Sequence, residues 1–194
     1  MYLGGGKNMP LIPDFELGLW NAWIFIIPFI VYWFVGIKFL FSKRMPDSPP
    51  LKGKKVNIIS WILVLIMFGS FFYSIFVPFK VGLIWFPIGL VVYLVGLVLI
   101  TFSMVSFATT PLDKPVTKGI YRYSRNPMFF GFFLVYFGIG IACISWVYLL
   151  ITVVSILTMV YLSPFEEAIT LGHYGKAYKE YMKRTPKWIG IPKK

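Results

Sequence analysis

Two short stretches of this chain hold its densest mix of carboxylates, guanidiniums and phenols. Residues 118–129 read KGIYRYSRNPMF, and residues 163–186 read SPFEEAITLGHYGKAYKEYMKRTP. In the first, Arg125 offers a planar fork of donors that matches a carboxylate or phosphate; the same side chain also suits a headgroup contact from a stem lying along lipid. Asn126 and Pro127 fit the cap and first position of a helix. A helix start also turns free N–H groups and a positive dipole end towards an anion. Gly119 permits a turn in which backbone comes close to a ligand. Tyr121 can stack or hydrogen-bond there, or sit in an interfacial belt.

In the second stretch, Ser163, Pro164 and Glu166 form a capping-box pattern, which predicts a helix start and gives Glu166 a structural task. Glu167 has no such task. A carboxylate at the end of an apolar run is costly unless paired or functional, so Glu167 is the better candidate for chemistry. Tyr174, Tyr178 and Tyr181 recur on one helical face. They form either a packing stripe or an aromatic wall beside a cationic or heteroaromatic ligand. His173 is the only histidine; with two nearby glutamates it does not make up a metal site, and no metal is expected. Pro186, Trp188 and Ile189 are expected to end the helix and fold back towards the membrane surface.

The elements that must position these strips are apolar. Only 13% of the 194 residues are charged and 58% are hydrophobic, against roughly 25% charged in a soluble domain. Long apolar runs at 17–41, 58–79 and 81–107 each exceed the roughly 20 residues that cross a hydrocarbon core. Residues 130–162 carry no Asp, Glu, Lys or Arg. That run is too long for one crossing and short for two, which predicts a hairpin of two shortened helices, 128–143 and 145–162, turning near Cys143 to Ser145. Gly131, Gly138, Gly140 and Ala142 would let it pack closely. Pro78, Lys80 and Gly82 predict a tight turn between the second and third spans.

The expected fold is therefore an all-α integral membrane protein: a single membrane domain over 1–194 with five transmembrane helices, the last two a short helical hairpin, and a cytosolic C-terminal amphipathic helix. The N-terminal stretch lacks a signal-peptide pattern, so the first span is expected to act as its own insertion signal. Net charge is +12. Topology accounts for it without nucleic acid, because every Lys and Arg except Lys7 and Lys80 falls on one side of a five-span arrangement. The positive-inside rule then places the N-terminus outside, and both polar strips in the cytoplasm. The prolines and lysines of the 42–56 connector suit a surface loop meeting anionic headgroups. The single cysteine, Cys143, permits no disulfide within the chain.

The last 80 or so residues resemble the isoprenylcysteine carboxyl methyltransferase family of integral-membrane enzymes. The resemblance rests on VTKGIY at 116–121, Arg125–Asn126–Pro127, Gly131, Glu166–Glu167, Tyr174–Gly175, Tyr178, Tyr181 and Pro186. It implies a methyltransferase with S-adenosylmethionine as donor and S-adenosylhomocysteine as product. The cofactor would bind at segments 112–131 and 163–190, and a lipophilic small molecule or prenylated peptide would enter from the membrane lipids. By match, Gly119, Tyr121, Asn126, Pro127, Met128 and Phe129 would line the cofactor, helped by the backbone of Asp113, Lys114, Pro115 and Val116. Tyr178 and Tyr181 would close the pocket, and Arg125 and Glu167 would act at the reacting groups. The family commonly has Arg-His-Pro followed two residues on by Tyr. Asn126 keeps a hydrogen bond but does not titrate as histidine does, and Phe129 lacks the hydroxyl.

The methyl acceptor expected from this resemblance is the carboxylate of a prenylated cysteine or similar. A phospholipid amine is the alternative acceptor. An NADPH-dependent sterol-reductase-like enzyme would normally carry more spans. A transporter would place ionisable groups near the bilayer midplane rather than at its rim.

Overall fold

The computed structural model describes residues 16–35 and 54–192. Among these residues the chain is all-helical: α1 (Trp23–Val35), α2 (Lys54–Ser74), α3 (Trp85–Thr109), a short 3-10 helix (Gly119–Arg122), α4 (Pro127–Ala142) and α5 (Trp146–Arg184). Among the described residues, three helices are long and apolar enough to cross a membrane: α2 over Val56–Ser74, α3 and α5. α4 has 16 residues, or about 24 Å at 1.5 Å per residue, short of a core of about 30 Å. The far end of the expected first span and most of the 42–56 connector lie outside the described residues.

The first helix starts later than its apolar run because Asn21 and its neighbours are otherwise engaged. Asn21 is buried, and its Nδ2 donates to the carbonyls of Glu16 (2.5 Å) and Ile75 (2.7 Å). Ala22 N donates to Val77 O, and Phe79 N to Trp20 O. The chain before α1 thus pairs with the chain after α2, which draws residues 75–79 out of the second helix. The connection to α3 is a short extended passage over 77–79 followed by the expected turn, closed where Leu83 N donates to Lys80 O at 3.0 Å.

The hairpin turn falls where the sequence predicts it. Cys143, Ile144 and Ser145 join α4 to α5, with Ile144 at φ 50°. Ser145 Oγ then accepts from Tyr148 N to cap α5. Seven-residue spacing puts Gly89 and Gly96 on one face of α3, and Gly131 and Gly138 on one face of α4. The helices run antiparallel with these faces in contact. A methyl group at Gly138 would stand 2.5 Å from Tyr93 N and 2.7 Å from Gly89 O, and one at Gly96 would stand 2.8 Å from Gly131 O. Backbones this close gain dispersion contacts, which hold helices together in lipid. The core beside this contact includes Phe25, Tyr93, Ile139 and Tyr148.

The expected helix start at Ser163 is a correction. α5 runs straight through Ser163 and Pro164. Proline at 164 cannot donate to the carbonyl of Val160, four residues back. The buried Ser163 hydroxyl donates to that same carbonyl at 3.3 Å, so the serine satisfies an acceptor within the helix. The polar C-terminal stretch is accordingly a continuation of α5. It breaks only at Gly175, whose φ of 53° and ψ of −124° lie outside the helical region and suit a residue without Cβ.

Gly138→Ala should wedge α3 from α4 and cost about 1–3 kcal/mol, seen as a lower thermal midpoint in detergent. Gly172→Ala, where a methyl group meets nothing within 4 Å, should leave the midpoint unchanged or raise it. Equal effects of the two substitutions would contradict the close contact.

Candidate active site

The two polar strips meet at one end of the bundle, brought together by three devices. Gly119 takes φ 62°, and its bare α-carbon faces Ser106 of α3, whose Oγ would lie 2.5 Å from an added Cβ. That docks the 3-10 helix against the end of α3. Tyr181 of α5 donates its hydroxyl to Tyr121 O at 2.7 Å, with Ser124 O at 3.3 Å. The chain beyond α5 then folds back as a strap: Arg125 N donates to Pro186 O, and Gly190 N to Tyr123 O, each at 3.0 Å. Trp188 of the strap packs near Phe133 of α4.

At the centre Arg125 and Glu167 form an ion pair, Nη1 to Oε1 at 3.2 Å, with both side chains only 12% exposed. Lys187 of the strap stands 3.7 Å from Glu167 Oε2 and is 28% exposed. The buried pair is close but not aligned for hydrogen bonding: Arg125 Nε and Nη1 and Glu167 Oε1 have no hydrogen-bond partner among the described residues. A buried guanidinium and carboxylate in this condition retain capacity for further polar contacts.

Glu166, half-buried beside it, has its carboxyl pushed up to about 7, first by burial and then by the charge of Glu167. Tyr178 is buried with its ring 5.7 Å from that of Tyr181. Its phenol is pushed up to about 12 by burial and by Glu167, against the opposing effect of Arg125. Tyr181 is raised likewise, chiefly by burial. Both phenols therefore stay protonated at neutral pH and serve as donors or aromatic walls.

Asn126 and Pro127 occupy the cap and first position of α4, as the sequence predicts, but the Asn126 side chain does not cap the helix. Its Nδ2 donates to Lys187 O at 3.0 Å and ties the strap to the helix start. Met128 packs towards the apolar core, Phe129 is half-buried, and Val116 is half-buried behind buried Pro115. Asp113 and Lys114 lie exposed on the turn after α3. That turn is held to α5 where Tyr174 OH donates to Leu112 O at 3.2 Å. Because of the break at Gly175, Tyr174 does not continue the stripe of Tyr178 and Tyr181; it serves the turn. Lys187 and Ser124 were not singled out in the sequence. Lys187 reaches Glu167 only because the strap doubles back, and no spacing in the sequence signals that.

A family model described as phospholipid methyltransferase matches residues 81–177, half of the chain. The chain belongs to the phospholipid methyltransferase family. This is a family of membrane methyltransferases related to the isoprenylcysteine carboxyl methyltransferases, and its methyltransferases generally use S-adenosylmethionine. The matched region of this phospholipid methyltransferase relative begins before α3 and carries Arg125, Glu166 and Glu167. Tyr178, Tyr181 and the strap lie beyond it. No curated protein and no solved structure matches the chain.

The raised Glu166 carboxyl makes stability depend on pH. Its folded value stands above the ordinary 4.5, so its contribution is full below about pH 4.5 and is lost as pH rises through about 7. Glu166→Gln should flatten that decline and raise the thermal midpoint above the parent's at pH 8. Melting curves in detergent from pH 4.5 to 8 check this; parallel curves for parent and variant would contradict the raised Glu166 carboxyl.

Proposed function

We propose that this protein is an S-adenosylmethionine-dependent methyltransferase whose acceptor is the amine headgroup of a membrane lipid, with the Arg125–Glu167 pair as the centre of its site. The observation that carries the reading is the buried pair itself, with guanidinium and carboxylate atoms that lack hydrogen-bond partners among the described residues. A zwitterionic amino acid bearing a sulfonium suits such a seat. Arg125 would hold the donor's carboxylate by charge-assisted hydrogen bonds, and Glu167 would attract its positive charges. Tyr178 and Tyr181 supply aromatic faces for a cation and keep water away. When bound, the donor supplies an already activated methyl group, so the protein's work is orientation and dehydration.

The family's description and the paired carboxylates favour an amine acceptor. A lipid amine must lose a proton before it can act as a nucleophile. Glu166, with its carboxyl near 7, is matched to take that proton at neutral pH. A second reading, a prenylated cysteine carboxylate, is favoured by the order of Arg125–Asn126–Pro127 and Glu166–Glu167. It would need no base, and Arg125 or Lys187 would steer the acceptor. The proposed topology has five crossings, with the apolar run 17–41 as the first, α4 as a short crossing beside α3, and the site on the cytoplasmic face. Its support is the apolar runs and the one-sided distribution of Lys and Arg.

The test is transfer of labelled methyl groups from S-adenosylmethionine by purified protein in nanodiscs, offered phosphatidylethanolamine or a farnesylated cysteine. Labelled phospholipid supports the amine reading, labelled prenylcysteine replaces it with the second, and no adenosyl binding at all overturns both. Arg125→Ala and Glu167→Gln should each lower turnover about 100-fold or more, since each removes one of the two charged groups that would seat the donor. Full turnover in Arg125→Ala would remove Arg125 from the site.

A further inference from the structure

The carboxyl-terminal strap brings a third charge to the site, outside the residues that the family model matches. Lys187 Nζ lies 3.7 Å from Glu167 Oε2, while Arg125 Nη1 lies 3.2 Å from Oε1. The two cations on Glu167 differ in freedom. Arg125 is nearly buried, and its main chain is pinned by Pro186 O. Lys187 is more than twice as exposed and sits on a flexible stem. Its carbonyl, not its ammonium, holds the strap to Asn126. The ammonium can therefore swing into water while the strap stays in place.

Lys187 already neutralises Glu167 Oε2, so a further cation reaches that oxygen only by displacing the ammonium. We propose that Lys187 is a placeholder: its ammonium occupies the cation seat at Glu167 Oε2 in the ligand-free protein and yields it to the cationic methyl donor. Lys187 thereby becomes a specificity-determining residue. When the sulfonium becomes a neutral thioether after methyl transfer, the competition for Glu167 shifts back towards Lys187, which favours product release. The proposal rests on S-adenosylmethionine being the donor.

The experiment is calorimetric binding of S-adenosylmethionine and S-adenosylhomocysteine to the full chain in detergent, for the parent, Lys187→Gln and Lys187→Arg, with thermal midpoints of the ligand-free proteins alongside. The two ligands differ by the methyl group and the positive charge on sulfur. Lys187→Gln removes the competing charge and should tighten the sulfonium ligand by roughly two- to five-fold, as for a partly exposed ion pair. It should alter the thioether ligand less, and Lys187→Arg should behave like the parent. Equal weakening of both ligands would overturn the proposal, because Lys187 would then be holding a group common to both. Weakening of both with a fall in thermal midpoint would also overturn it and assign Lys187 to the strap's structure. If the parent bound neither ligand, the donor assignment itself would fail, an outcome distinct from the others.

Discussion

A carboxylate at the rim of an apolar helix bundle must be neutralised, and the architecture around Glu167 follows from that requirement. Ionised and alone, such a group would carry a desolvation cost of several kcal/mol. Arg125 answers it from a loop far away in sequence, and the loop must then be held in register with α5. Tyr181 does part of this by donating to Tyr121 O. The strap does the rest through Pro186 O and Lys187 O. Each tie uses a backbone carbonyl, so the loop's path is fixed while the charged groups keep spare hydrogen-bonding capacity. Glu166 next door holds its proton more tightly, first through burial and then through the same charge.

The loop is anchored at its other end by the packing of α3 on α4. Gly89 and Gly96 against Gly138 and Gly131 bring two backbones together along much of their length. The end of α3 and the start of α4 therefore emerge side by side, and the chain between them has to fold compactly over that end. Gly119 permits this by accepting a positive φ and a close approach to Ser106. Lipid-facing packing and polar chemistry are thus coupled through the geometry of one helix pair.

Features that depend on local composition were legible in the sequence. The absence of charge over 130–162 together with its length implied a turned pair of helices, and the turn lies at Cys143 to Ser145. Glu167 stood out because a carboxylate at the end of an apolar run demands a partner, and Arg125 because its fork of donors suits a carboxylate; the two are paired with each other. Features that depend on contacts distant in sequence were not legible. Ser163 and Pro164 imitate a helix start, yet the hydroxyl compensates the proline within a continuing helix. Asn126 has the right identity for a cap but spends its amide on the strap. Gly89 and Gly96 gain meaning only when α4 lies against them, and Lys187 only when the tail returns.

The unbroken passage of α5 through Ser163 and Pro164 imposes a rotational condition on the whole molecule. With no joint between the apolar part and Glu167, the direction in which that carboxylate points is set by the helical phase of buried Tyr148, Thr152 and Ser155 below it. Adding or removing one residue in between would turn Glu167 by about 100° about the axis, away from Arg125. The length of the apolar part of α5 is thus constrained in angle as well as by the thickness of the bilayer it meets.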